Sequence, residues 1–263
     1  MMPEFKIGDI VLHYRLRGEG PPLLLIHGLG SDMRTWEFQE DELAKHFQLI
    51  LVDQRGHGHS TGPGMDAVMA SVFVQDMITL LDHLGFKKVH VAGQSMGGLI
   101  AQEFALSHPE RVERLILIST GYKITEETVD EVFSWREAQV EGGDEAYFRA
   151  ATDSCFPQEF IDNNKELMDY LFNKENLLNP DGVMAAGLGL AMFDAADRIS
   201  EIKNRTLIIH GDLDKVFNVS LAKEAHEIIP SSQLVIFKGC GHSSAIQMSE
   251  KMSETTIKFL TDN

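Results

Sequence analysis

Cysteine is scarce in this chain of 263 residues: only Cys155 and Cys240 occur, far apart and with no CxxC pair, so neither a disulfide framework nor a thiolate zinc site is indicated. Basic residues are also in short supply. Against 40 Asp and Glu stand 23 Lys and Arg, a formal net charge of −17, and no Lys/Arg block breaks the pattern, which argues against nucleic acid or an anionic membrane as a partner. Long apolar runs are missing too: stretches such as Leu23 to Ile26 fall far short of the ~20 residues that span a bilayer. The start Met1-Met2-Pro3-Glu4 has neither the basic residues nor the apolar segment of a signal peptide. Together these absences predict a cytoplasmic protein.

What is present is an ordinary hydrophobic fraction of 43%, enough for a sizeable core. Short β-rich apolar runs bounded by turn residues recur at 10–16, 23–27, 47–53, 88–92 and 115–119, and again at 205–211 and 233–239. Helical periods lie between them. Val74, Met77, Ile78 and Leu81 fall at the i, i+3, i+4, i+7 spacing of a buried stripe, with Gly85 as a stop signal. Helices are also expected at 220–229 and about 249–261. Continuous apolar strands alternating with amphipathic helices predict a parallel sheet covered on both faces, the α/β class.

Between 122 and 203 the strand rhythm vanishes. Thr128 with Glu131 fits a capping box, Pro157 and Pro180 fit first-turn positions, and Gly142-Gly143 separates two helical segments. The expected organisation is a core at 1–121 and 204–263 with a helical insertion at 122–203.

The segment "GQSMGG" at 93–98 sits between an apolar strand and a helical run. Strand, Gly-x-Ser-x-Gly, helix is the context of a nucleophile elbow, in which a sharp turn exposes a serine and a helix N-terminus faces the developing oxyanion. By itself the motif leaves a simple turn open. A serine nucleophile needs a histidine base oriented by a carboxylate, and both follow at strand ends in the order Ser, acid, His: Asp212 and Asp214 in "HGDLDK", then His242 in "GCGHSS". Loops at the carboxyl ends of parallel strands share one edge of the sheet, so Ser95, Asp214 and His242 can converge. Motif position favours Asp214 over Asp212, which reads as a turn residue. The "HGLG" turn at 27–30 offers the backbone N–H of Leu29 to pair with that of Met96 as an oxyanion hole, and His27 reads as a structural brace for that turn.

These residues carry a resemblance. Taken with Trp36, "LILVDQRGHGHS" at 49–60 and the long match at 93–120, the chain resembles the α/β-hydrolase superfamily, in particular its compact esterase, enol-lactonase and cofactor-free haloperoxidase-like members. The resemblance implies an eight-stranded, mostly parallel sheet, with Ser95 as nucleophile, Asp214 as acid and His242 as base. It also implies that 122–203 is a cap over the site, and that His57 and His59 belong to a structural loop, not a metal site. Asn218 departs from a proline that many relatives carry after the acid. No cofactor is called for.

The reaction so implied is hydrolysis of a small-molecule ester or lactone. The acyl group is expected to be small to medium and largely apolar, with Gly28, Trp135, Met192 and Phe193 as binding positions. An enol-lactonase or C–C bond hydrolase would use the same triad. A hydroxynitrile lyase is disfavoured by Ser243 and Ser244 where that activity implies a lysine, and Ser95 excludes enzymes with an aspartate nucleophile. A non-catalytic receptor on the same fold is the reading from another class. Oligomeric state is not legible.

Overall fold

The apolar strands alternate in which side of the sheet they feed. Leu23, Leu25, Leu49, Leu51, Ile116, Ile118, Leu207 and Ile209 enter one buried cluster, while Leu24, Ile26, Ile50, Val52, Leu115, Leu117 and Ile208 enter another. A strand apolar at every position is therefore a strand with helices on both faces. The computed structural model describes residues 2–62, 66–173 and 177–262; Met1 and Asn263, the outer ends of the expected core segments, lie outside them.

The strands are β1 (Glu4–Ile7), β2 (Ile10–Arg17), β3 (Pro22–Ile26), β4 (Gln48–Val52), β5 (Val89–Gln94), β6 (Val112–Ile118), β7 (Arg205–Gly211) and β8 (Ser232–Phe237). They form one eight-stranded sheet in the order β1-β2-β4-β3-β5-β6-β7-β8. β1 with β2 and β2 with β4 pair antiparallel, and every later pairing is parallel. β1 carries no signal in the sequence reading because it is a four-residue edge strand whose residues are all exposed or half-buried.

The helices are α1 (Glu37–Leu43), α2 (Ala70–His83), α3 (Met96–Ser107), α4 (Glu126–Cys155), α5 (Gln158–Asn163), α6 (Lys165–Asn173), α7 (Pro180–Leu190), α8 (Val219–Ile228), α9 (Ser244–Gln247) and α10 (Ser249–Thr261). The stripe Val74, Met77, Ile78, Leu81 is buried on α2. Helices α4 to α7 all fall between β6 and β7. Two expectations there need correction. Thr125, not Thr128, caps α4, its hydroxyl accepting the Thr128 N–H; Thr128 instead is buried and donates to the Val216 carbonyl at 2.8 Å, tying α4 to the core. Pro157 is the N-cap of α5 rather than its first helical residue, whereas Pro180 opens α7. At Gly143 the backbone of α4 leaves helical geometry, with φ 74° and ψ −166°, so the glycine pair does divide the helix into a first and a second arm.

Candidate active site

β5 ends at Gln94 and α3 begins at Met96, which leaves Ser95 alone in the turn with φ 56° and ψ −121°. A residue with a side chain adopts that conformation only when its surroundings enforce it. The Ser95 N–H donates to the Ile118 carbonyl at 2.9 Å, and the Ser95 carbonyl accepts the Thr120 hydroxyl at 2.9 Å. Gly97 must lack a side chain, because a Cβ there would run into the carbonyl oxygen of Ile26.

The loop after β7 supplies Asp214 and the loop after β8 supplies His242. Asp214 Oδ1 accepts the N–H groups of Val216 and Phe217, each at 2.9 Å. His242 Nδ1 lies 2.9 Å from Asp214 Oδ2, and His242 Nε2 lies 2.9 Å from Ser95 Oγ. A carboxylate only accepts, so Nδ1 carries the proton and Nε2 is free to accept the serine hydroxyl. Burial works to raise the Asp214 carboxyl, but attraction to His242 and hydrogen bonds from His210 and His242 outweigh it and hold it well below the usual carboxylate range. Asp212 is turned elsewhere, accepting the Gly239 N–H at 2.7 Å with Lys238 Nζ 3.2 Å away.

His210 escaped the sequence reading. Wholly buried near the end of β7, its Nε2 lies 2.8 Å from the Phe217 carbonyl and 3.2 Å from Asp214 Oδ2. The carbonyl can only accept, so Nε2 carries the proton and points at the acid loop. The signal in the sequence was its place four residues before Asp214 in "HGDLD", where it read as one more strand residue.

Gly28 packs against Ser95, a Cβ on it falling 3.4 Å from that of Ser95. Leu29 and Met96 border the same cavity, and among the described residues the backbone N–H of neither has a hydrogen-bond acceptor. His27 braces the turn through Nδ1 to the Gly28 carbonyl at 2.8 Å and Nε2, which accepts the Gln54 N–H at 3.1 Å. In the loop after β4, Asp53 accepts the N–H groups of Met33 and His59. Asn218 caps α8, its side-chain oxygen accepting the Ser220 N–H at 3.0 Å.

A cavity of about 250 Å³ opens above Ser95 between the sheet edge and helices α4 and α7. Its wall is mostly apolar, with Leu99, Val132, Trp135, Phe148, Met184 and Leu190 on it. Of the four expected binding positions, Gly28 and Trp135 lie on this wall; Met192 and Phe193 do not. Helix α7 stops at Leu190, so Met192 runs out into solvent, 71% exposed, while Phe193 folds back into the core at 7%. Cys155 also borders the cavity, but burial pushes its thiol up to about 12, so it stays protonated.

Comparison with known proteins agrees with this architecture. An uncharacterized protein of Mycobacterium tuberculosis is 32% identical over 250 residues, 87% of this chain and 72% of that one. The pimeloyl-[acyl-carrier protein] methyl ester esterase of Vibrio vulnificus is 28% identical over 261 residues, 94% of this chain and 97% of that one. The crystal structure of the enol-lactonase from Burkholderia xenovorans matches with a TM-score of 0.90 at 26% identity, covering 99% of this chain and 100% of that one. The sequence profile of the α/β hydrolase fold matches residues 21–247, and with the eight-stranded sheet and the site at its carboxyl edge, the chain belongs to the α/β hydrolase family.

Proposed function

We propose that the chain hydrolyses carboxylic esters with a small to medium, largely apolar acyl group, by way of an acyl-enzyme on Ser95. The observation that carries this reading is the continuous hydrogen-bonded line from Asp214 through His242 to a serine held in a strained turn. Ser95 Oγ attacks the carbonyl carbon as His242 Nε2 takes its proton, and Asp214 stabilises the imidazolium so formed. The oxyanion is held by the N–H groups of Leu29 and Met96. Collapse of the tetrahedral intermediate breaks the bond to the alcohol oxygen, which takes the proton from His242. Water then attacks the acyl-enzyme by the same route and releases the acid.

In this reading 122–203 acts as a cap, with the core at 1–121 and 204–263, and cap residues such as Trp135 set the acyl preference. Ester hydrolysis is supported by the esterase among the relatives. Lactone hydrolysis by the same triad is the second reading, favoured by the similarity to a solved enol-lactonase. Neither route calls for a cofactor.

The test is turnover of p-nitrophenyl butyrate. Ser95→Ala should lose activity to near background while remaining folded, and a fluorophosphonate probe should label the parent at Ser95. Hydrolysis by Ser95→Ala at the parent's rate would overturn the mechanism, and a parent that the probe leaves unlabelled would point to a receptor on this fold. Ranking esters against lactones by kcat/KM separates the two hydrolytic readings.

A further inference from the structure

Tyr147 lies on the second arm of α4, beyond the break at Gly143, and lines the cavity at only 6% exposure. Its ring is clamped edge-on by two neighbours, Trp135 at 6.3 Å and Phe148 at 5.6 Å between centroids. The hydroxyl is thereby fixed against the turn that bears Leu29: it occupies the space a side chain on Gly30 would need. Burial raises its pKa above the usual phenol range, so the group is an O–H donor throughout the working pH range.

That donor has no acceptor among the described residues. Its neighbours on the wall differ. The Trp135 Nε1–H donates to Ser154 Oγ at 2.9 Å, the Thr128 hydroxyl to Val216 O at 2.8 Å and the Gln94 amide to His242 O at 3.4 Å, while the Ser31 and Thr35 hydroxyls bond one another at 2.6 Å. A donor kept unpaired in an apolar enclosure is destabilising unless something in the cavity accepts it. Unlike the N–H groups of Leu29 and Met96, which the proposed chemistry uses on the scissile carbonyl, this O–H is left over.

We propose that Tyr147 is a specificity-determining residue whose hydroxyl donates to a second oxygen of the substrate, on the Gly30 side of the scissile carbonyl. The preferred acyl groups then carry an oxo or other acceptor oxygen near the ester instead of being plain alkanoates. This rests on the ester-hydrolase reading above and narrows its substrate class. A pocket built to hydrogen-bond a polar group discriminates more sharply than one that only encloses methylenes, because the wrong substrate leaves a buried group unpaired.

The experiment compares kcat/KM for two matched pairs of p-nitrophenyl esters, 3-oxobutanoate with butanoate and 4-oxopentanoate with pentanoate, in the parent and in Tyr147→Phe, each rate being corrected for spontaneous hydrolysis. The phenylalanine keeps the ring and its clamp, and a Tm no lower than the parent's with an unaltered circular dichroism spectrum establishes that the variant is folded. The expected result is a preference of about tenfold or more for the oxo ester of at least one pair in the parent, lost in Tyr147→Phe. The proposal is overturned if the parent shows no such preference, if the preference survives in the variant, or if oxo ester and alkanoate lose rate together, which would make Tyr147 a third oxyanion donor. A parent that hydrolyses none of the four esters overturns the ester-hydrolase reading and this one with it.

Discussion

Asp214 is the most heavily bonded side chain of the site, accepting from two loop N–H groups and from His242, with His210 beside it. Its negative charge fixes which nitrogen of His242 bears the proton. Asp214→Asn keeps the size but presents an amide that can turn its NH2 toward Nδ1, which forces the proton onto Nε2 and removes the base. A fall in kcat on the order of 10³ to 10⁴ is expected, with KM little changed; a loss under tenfold in kcat would mean that the serine is activated some other way. His27 and His57 act on stability instead. Burial, followed by the proximity of His27, lowers His57 to about 3, and burial also lowers His27. Since an unfolded histidine titrates near 6.5, the unfolded chain takes up protons that the native state refuses. This stability is full above the unfolded value and is lost as pH falls from about 6.5 toward the folded value, by up to ~1.4 kcal/mol per pH unit for each histidine. The lowered carboxyls of Asp32 and Asp214 act at more acidic pH. Urea unfolding at pH 7.5, 6 and 5 should show the slope, and His57→Gln should flatten it; equal stability at pH 7.5 and 5 would refute the assignment.

Among the elements, the ones legible in sequence were those whose geometry forces residue type. The turn around Ser95 admits no Cβ at Gly97, and a strand covered on both faces must be apolar throughout, so both left plain marks. The order Ser, acid, His could be read because parallel strands deliver their loops to a common edge. The cavity wall could not be read in the same way. In "GLGLAMF" apolar residues crowd every side, and only the end of α7 at Leu190 decides that Met192 meets water while Phe193 packs inward. His210 was hidden for a related reason: a polar residue in a buried strand is conspicuous, but its partner is set by the fold of the following loop. Gly143 joins the two kinds. Its φ of 74° is open to glycine and strained for alanine, although among the described residues nothing beyond its own stretch of helix lies within 4 Å of where a Cβ would stand. Gly143→Ala should therefore cost ~1 to 3 kcal/mol through backbone strain alone. If the chain relieves that strain by extending the first arm of α4, Tyr147 shifts. The selectivity between oxo ester and alkanoate should then drop more than the alkanoate rate does, whereas equal losses in both would separate the kink from the specificity of the site.

For the whole molecule the dominant fact is the net charge of −17. Like charges spread over one surface repel in the folded state more than in the expanded chain, and salt screens them over a Debye length of ~10 Å at 0.1 M. Raising NaCl from 10 to 300 mM at pH 7.5 should therefore stabilise the fold by ~1 kcal/mol, seen as a Tm increase of ~2 to 4 °C; a Tm that stays flat or falls would mean that local ion pairs such as Arg55–Asp76 outweigh the general repulsion. The same field acts on substrates. An anionic ester approaches against the charge of the molecule and a neutral ester does not, so kcat/KM for p-nitrophenyl hemisuccinate should rise over this salt range while that for the butyrate stays level. Arg136 borders the cavity half-buried and pulls the other way at short range. A hemisuccinate rate that falls with salt would show that this one guanidinium, and not the charge of the whole surface, governs entry to the site.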